Sequence, residues 1–326
     1  MPSEKFNELK QKIEKEYKNI TGLHIAKDGE LLHESYFSGC HEQSRLHVYS
    51  VSKSVISILL GIALDRKCIE SVDQRILDFF PEYPADRFKG DLKDLTLKNL
   101  ITMTTPFKYG ARPPYLKYFT SEDRVSFSLN LIGGRDKIGD FNYTPLIGPD
   151  ILSGILKKAT GQPVIDFANT SLFQPLGIAP KENIYLKDKR DHMKFNKSTD
   201  KNGWVTGEDG LHPAGWGLTL SAREMSAIGQ LYLNEGKREG NAIVSEKWIS
   251  ESTKKQSHWK KLNLSYGFLW WVLDEGKGIY AAMGDGGNAI YINKSRNSVI
   301  SILSSFVRNA KDRIELIEQE ILPLVD

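Results

Sequence analysis

The stretch from Val48 to Leu64 is nearly all apolar, the most apolar run in the chain, and Asp65-Arg66-Lys67 ends it. A run of this kind predicts a central helix buried on most sides. It falls short of the ~20 apolar residues of a membrane span, and no other stretch approaches that length. The polar and small residues in it stand at 50, 53, 54, 57 and 61, which share one helical face. A polar strip on a buried helix must satisfy its hydrogen bonds internally or line a cavity, because an unpaired buried group costs roughly 1 to 3 kcal/mol. The fold must therefore wrap this helix and supply something for the strip to meet.

The flanking sequence predicts what does the wrapping. Apolar residues at Phe6, Leu9, Ile13 and Tyr17 among charges make a surface helix, and Lys27-Asp28-Gly29-Glu30 between apolar runs reads as the turn of an edge hairpin over Leu23 to Tyr36. From about 66 to 214 short helical segments are broken by Pro and Gly. Ser221 with Glu224 forms a capping box for a helix that Gly236 stops, and Ser245 caps another. Three β-rich runs follow, Tyr266 to Leu273, Ile279 to Met283 and Ala289 to Phe306, the last folded back at 294–297. A helix over Lys311 to Leu324 closes the chain. We expect an α/β fold of the α+β type, with a mainly antiparallel sheet built from residues 1–65 and 215–326 and flanked by N- and C-terminal helices. A helical, loop-rich lobe over 66–214 would be joined to it, with an active site between the two.

Charge and composition exclude several classes. Forty-four Lys and Arg against forty-one Asp and Glu leave +3 with no basic cluster, so nucleic acid is not an expected partner. Met1 to Asn19 lacks the apolar core of a signal peptide, and we expect a cytoplasmic protein without membrane association. Cys40 and Cys68 are too few for a disulfide framework or zinc site and are expected as buried thiols. The seven histidines, at 24, 33, 41, 47, 192, 212 and 258, make no H-E-x-x-H or H-x-H spacing, so no metal is expected. The absence of G-x-S-x-G leaves an α/β-hydrolase without local support.

S-x-x-K occurs four times, at Ser50, Ser198, Ser252 and Ser257. The last three lie in hydrophilic stretches whose lysines would be solvated and protonated. Ser50 opens the apolar helix, and Lys53 follows one turn later. Desolvation disfavours the ammonium form, so a lysine held there can take the serine proton, while the helix N-terminus favours the alkoxide and oxyanion. On spacing alone, Ser50 as a plain cap and Lys53 as a snorkelling side chain read equally well.

Tyr49-Ser50-Val51-Ser52-Lys53-Ser54 followed by Leu60-Gly61-Ile62-Ala63 resembles the active-site helix of the serine β-lactamase and penicillin-binding-protein superfamily. The class C-like branch is the nearest, with its class C β-lactamases, D-alanyl-D-alanine peptidases, esterases and 6-aminohexanoate-dimer hydrolases. The resemblance continues through residues 95–104, Phe141-Asn142-Tyr143, Phe173-Gln174-Pro175-Leu176-Gly177, Gly215-Trp216-Gly217-Leu218, residues 266–271 and Gly284-Asp285-Gly286-Gly287-Asn288, covering roughly 45 to 305 in the family's order. It implies a β-lactamase/transpeptidase-like fold and no cofactor. Tyr143 matches the tyrosine of the family's Y-x-N motif, which shuttles the proton to the leaving group beside the nucleophile and lysine. Gly287 matches the residue whose N–H joins that of Ser50 in the oxyanion hole.

Two positions depart from the family pattern. Tyr143-Thr144-Pro145 has proline where the lactamases usually have asparagine, and Gly284-Asp285-Gly286 stands where relatives carry K-T-G or H-x-G. Relatives use that cation to bind a substrate carboxylate, so its loss argues against a β-lactam or C-terminal carboxylate, and Asp285 would favour a cationic or hydroxylated group. Gly286, Asn288, Trp216, His212 and Tyr109 are candidate cleft residues by position. The expected activity is serine hydrolysis of a carboxylic ester or small amide through an acyl-enzyme. Alternatives are a β-lactamase or D-alanyl-D-alanine peptidase, or a catalytically silent binding module on the same scaffold. The sequence carries no signal for an oligomeric state.

Overall fold

The computed structural model describes residues 2–110 and 112–325. Its centre is an eight-stranded antiparallel sheet with strands β1 (Ile20–Lys27), β2 (Glu30–Tyr36), β3 (Ser257–Trp259), β4 (Leu264–Tyr266), β5 (Trp271–Asp274), β6 (Ile279–Gly284), β7 (Asn288–Asn293) and β8 (Ser298–Ser304). Their order across the sheet is β2-β1-β8-β7-β6-β5-β4-β3, so the N-terminal hairpin docks on the last strand and the two chain ends share one sheet. The hairpin turn has Asp28 at φ 51 and Gly29 at φ 83, the two left-handed residues of a two-residue turn that matches strand twist. Among the described residues, the segment 66–214 contributes no strand to this sheet, and its strands Glu182–Tyr185 and Gly203–Thr206 pair in parallel.

Both faces of the sheet are covered, which is why β7 and β8 are buried at every position and read as continuous apolar runs. On one face, helix α1 (Pro2–Glu16) lays down Phe6, Leu9 and Ile13 beside the C-terminal turns, where Leu316, Ile317 and Ile321 complete a core with Ile300 and Ile302. On the other lie α2 (Val51–Asp65), whose residues 51–63 are all buried, and α4 (Ala222–Leu233), whose capping box of Ser221 and Glu224 is formed as the sequence indicates. Helix α3 (Asp150–Thr160) packs on α2 from the 66–214 segment. One core therefore runs from the sheet through α2 into that segment.

Three expectations change. The run from Tyr266 to Leu273 is two strands, because the chain turns at 267–270, with Leu269 at φ 63. The end strand β3, only three half-buried residues long, was not foreseen. Cys68 is exposed just past α2 and Cys40 is half-buried, so neither is a core thiol. Among the described residues no helix is long and apolar enough to cross a membrane.

Candidate active site

Ser50 stands at the N-cap of α2, and the Tyr49 before it has φ 50. A bulky residue in the left-handed region is strained and persists only where its surroundings hold it. The His47 ring lies 3.8 Å from the Tyr49 ring and the Phe306 ring 5.4 Å from it, while Ser52 Oγ donates to the Tyr49 carbonyl at 2.7 Å. His47 is fixed in turn. Its Nε2 accepts the Gly217 N–H at 2.8 Å and its Nδ1 faces Asn196 Oδ1 at 3.2 Å, so Nδ1 carries the proton. Burial brings its pKa down to about 3 and keeps it neutral.

One turn on, Lys53 is 1% exposed and its Nζ donates to Ser50 Oγ at 2.9 Å. The same Nζ lies 5.0 Å from the centre of the Tyr143 ring. Among the described residues no carboxylate is within ion-pair distance of it. Tyr143 belongs to an aromatic wall, parallel to Trp259 at 6.2 Å and beside Trp271 at 5.5 Å and Tyr266 at 6.3 Å. The structure thus gathers Ser50, Lys53 and Tyr143 into one site. The lysines of the other three S-x-x-K matches, Lys201, Lys255 and Lys260, are exposed.

Beyond its first turn, the polar strip of α2 serves packing. Ser54 Oγ donates to the Leu269 carbonyl at 2.8 Å, and Gly61 leaves room for the Trp248 ring, which a Cβ there would approach to 2.4 Å. These contacts press the helix onto the 266–271 turn and the helix Glu246–Ser252.

The sheet meets Ser50 at the end of β6. A Cβ on Gly284 would lie 2.3 Å from the Val48 carbonyl oxygen and 3.3 Å from Ser50 N, so this strand end touches the chain leading into α2. A Cβ on Gly287, the residue expected to share the oxyanion hole through its N–H, would lie 2.7 Å from Arg313 Nε. The turn between them is braced. Asn288 Nδ2 donates to the Asp285 carbonyl at 2.8 Å, its Oδ1 accepts Ser304 N–H at 2.9 Å, and Asn19 Nδ2 donates to the Gly286 carbonyl at 2.7 Å. Asn288 and Gly286 are thus buried bracing elements, while the Asp285 side chain is exposed.

The remaining candidates lie at varied depth. Trp216 is buried behind His47, with ring centres 6.0 Å apart, and its Nε1 reaches the Tyr118 hydroxyl at 3.3 Å. His212 is bonded through Nε2 to Asn183 Oδ1 at 2.7 Å, and burial first, then the Arg124 charge, lower its pKa to about 4. It stands in the bracing of the 66–214 segment. Tyr109 is half-buried and stacks on Phe107 at 5.4 Å. Where the lactamase asparagine would stand, the Pro145 carbonyl lies against Gly215, 2.2 Å from where a Cβ would be.

Sequence reasoning missed Tyr49, Gly284 and the Trp259–Trp271 wall. Gly284 had a usable signal, a glycine ending an apolar strand, whereas the tryptophan wall depends on the unforeseen β3.

A serine bonded to a buried amine at the mouth of a helix that packs on an open antiparallel sheet defines a serine hydrolase of the β-lactamase and penicillin-binding-protein superfamily. The comparisons agree: the model of the Beta-lactamase family matches residues 10–322, and the chain belongs to that family. It is 22% identical over 308 residues to the 6-aminohexanoate-dimer hydrolase of Paenarthrobacter ureafaciens, covering 86% of this chain and 71% of that protein. Its fold is similar to a penicillin binding protein from Bacillus halodurans (TM-score 0.72, 14% identity, 95% of this chain and 99% of that one). It is also similar to EstCE1, a hydrolase with promiscuous acyltransferase activity (TM-score 0.72, 15% identity, 99% and 98%).

Proposed function

We propose that the protein hydrolyses a carboxylic ester or small amide through an acyl-enzyme on Ser50. The observation that carries this reading is the 2.9 Å bond between Lys53 Nζ and Ser50 Oγ inside the buried first turn of α2. Lys53 takes the hydroxyl proton as Ser50 Oγ bonds to the substrate carbonyl carbon, and the oxygen of the tetrahedral intermediate is held by backbone N–H groups. One donor is the Ser50 N–H, for which the described residues offer no backbone acceptor. The contact of Gly284 with the Val48–Ser50 backbone favours the adjoining Asp285 N–H as the second, in place of Gly287. Tyr143 protonates the departing alcohol or amine, then takes a proton from the water that attacks the acyl-enzyme, and Lys53 returns its proton to Ser50.

The test exposes wild type and Ser50→Ala to p-nitrophenyl esters of increasing acyl length and to an alkyl fluorophosphonate. Turnover and covalent labelling that vanish in the variant support the reading. Identical behaviour of the two proteins sinks it in favour of a silent binding module. Stable labelling of Ser50 by a fluorescent penicillin without ester turnover would favour a peptidase.

A further inference from the structure

We propose that Trp259 forms the leaving-group subsite of the Ser50 centre, and that the alcohol or amine released there carries a flat aromatic ring. The inference rests on the reading of Ser50 as the acylated nucleophile and of Tyr143 as the group that protonates the leaving atom. From Ser50 Oγ it is 2.9 Å to Lys53 Nζ, which lies 5.0 Å from the centre of the Tyr143 ring. The Trp259 ring centre stands 6.2 Å from that of Tyr143, and the two planes are parallel to within 7°. A group that takes its proton from Tyr143 is thus within one ring's reach of the indole.

The indole is held firmly. Trp259 ends β3, where it pairs with Leu264 of β4, and Ser257, on the same face of the strand, donates its Oγ to the Thr102 carbonyl at 2.7 Å. Phe141 at 5.7 Å and Trp271 at 6.0 Å back the ring, with planes 29° and 28° from its own.

The same ring is only half-buried, and its N–H is left open. The six tryptophans divide on this point. Trp204, Trp216 and Trp270 donate their N–H to protein oxygens, and Trp248 encloses its own without a partner. Among the described residues, the two tryptophans of the wall, Trp259 and Trp271, have an N–H that is neither bonded nor enclosed, and the Tyr143 hydroxyl is free in the same way. Packing alone gives no reason to leave these groups open along one wall. A fixed indole offering part of its ring and its donor suits a flat ring, which stacks or meets it edge to face, better than a saturated ring of the same size.

Two pairs of esters test this. Benzyl acetate against cyclohexylmethyl acetate places the ring on the leaving side, and ethyl phenylacetate against ethyl cyclohexylacetate places it on the acyl side. All rates are taken relative to alkaline hydrolysis of the same ester. In wild type, benzyl acetate should have about five- to tenfold higher kcat/KM than its saturated partner, mostly through KM, and the acyl-side ratio should be smaller. Trp259→Leu should bring the first ratio close to one, and Trp259→Phe, which keeps a ring, should retain more of it than Trp259→Leu. A wild-type ratio near one, an acyl-side ratio as large as the first, or a preference that survives Trp259→Leu overturns the inference. A surviving preference with kcat lowered equally for both esters would make Trp259 a support for Tyr143 instead. Loss of cyclohexylmethyl acetate hydrolysis in Ser50→Ala reports on the hydrolase reading separately. If no ester turns over, the first pair is titrated into isotopically labelled protein and followed on the indole N–H resonances. The Trp259 resonance, identified by its loss in Trp259→Leu, should reach half its shift at about fivefold lower concentration of benzyl acetate than of cyclohexylmethyl acetate. Equal midpoints, or no shift at millimolar ester, overturn the inference.

Discussion

Replacing Gly284 by alanine tests whether strand β6 and Ser50 form one rigid unit. The added Cβ would stand 2.3 Å from the Val48 carbonyl oxygen, where ordinary van der Waals contact begins near 3.4 Å, so about 1 Å of separation must be found. Val48 resists the movement, because its N–H donates to the Leu218 carbonyl at 3.0 Å and its carbonyl accepts the Val51 N–H at 3.2 Å. β6 is paired on both sides and has little freedom. The displacement therefore falls on the distance between the strand end and Ser50. A misplacement of ~1 Å in an acylating site costs about 100-fold in rate, while overpacking costs about 1 to 3 kcal/mol of stability. The assay is the rate of Ser50 labelling by an alkyl fluorophosphonate, followed by intact mass, beside a denaturant titration. Gly287→Ala is the control. Its backbone is left-handed at φ 86 and its Cβ would meet Arg313, so it should lose stability but keep more acylation rate than Gly284→Ala. Labelling of Gly284→Ala within about threefold of wild type, or a larger loss in Gly287→Ala, would refute the reasoning and return the second oxyanion donor to Gly287.

Two further expectations concern neighbours of Ser50. Lys53→Met, close in volume and apolar, should lower Ser50 labelling by about 100- to 10,000-fold with no loss of stability, since it removes a buried amine together with its proton-accepting role; labelling at the wild-type rate would make Lys53 structural. His47→Gln addresses pH. His47 titrates near 6.5 when unfolded and about 3 when folded, so its contribution is present above pH ~6.5 and is lost as pH falls toward 3, at about 1.4 kcal/mol per unit. The variant should show a flatter acid limb in stability against pH, and an unchanged slope would mean that another group sets it.

Elements whose pattern is local were legible in the sequence. Phe6, Leu9, Ile13 and Tyr17 all point inward, Asp28-Gly29 turns as its φ requirement dictates, and Ser221 and Glu224 exchange their bonds. Features fixed by distant partners were not. The turn that splits Tyr266 from Trp271 exists because Gly267 packs against the Ser252 carbonyl and the Leu269 N–H reaches the Ile101 carbonyl, neither of which is signalled nearby in sequence. Position beside a glycine motif also says nothing about which way a side chain faces. Asn288 and Asp285 are three residues apart on one turn, and the first is buried in bracing while the second is exposed. Tyr49 shows the same limit in part, because its ring packs not only on the neighbouring His47 but also on Phe306, distant in sequence.

Burial alone does not distinguish a reactive lysine from a structural one, and the two buried lysines of this chain differ in their partners. Lys181 has a fully buried side chain, and its Nζ is bonded to Glu224 Oε2 at 2.9 Å and Asn202 Oδ1 at 2.8 Å. Glu224 also receives Arg45 and caps α4. Desolvation lowers the Lys181 pKa to about 8 against the opposing pull of Glu224, yet every partner of this amine is a pure acceptor, so the group stays an anchor that joins three segments. Lys53 is buried to the same degree, but its partners are a hydroxyl that has a proton to give and the face of a phenol ring. No carboxylate locks it in one state. The difference lies in partner chemistry, and it follows from the apolar run of α2, which admits no acidic residue within reach of its single lysine and leaves Ser50 as its hydrogen-bond partner.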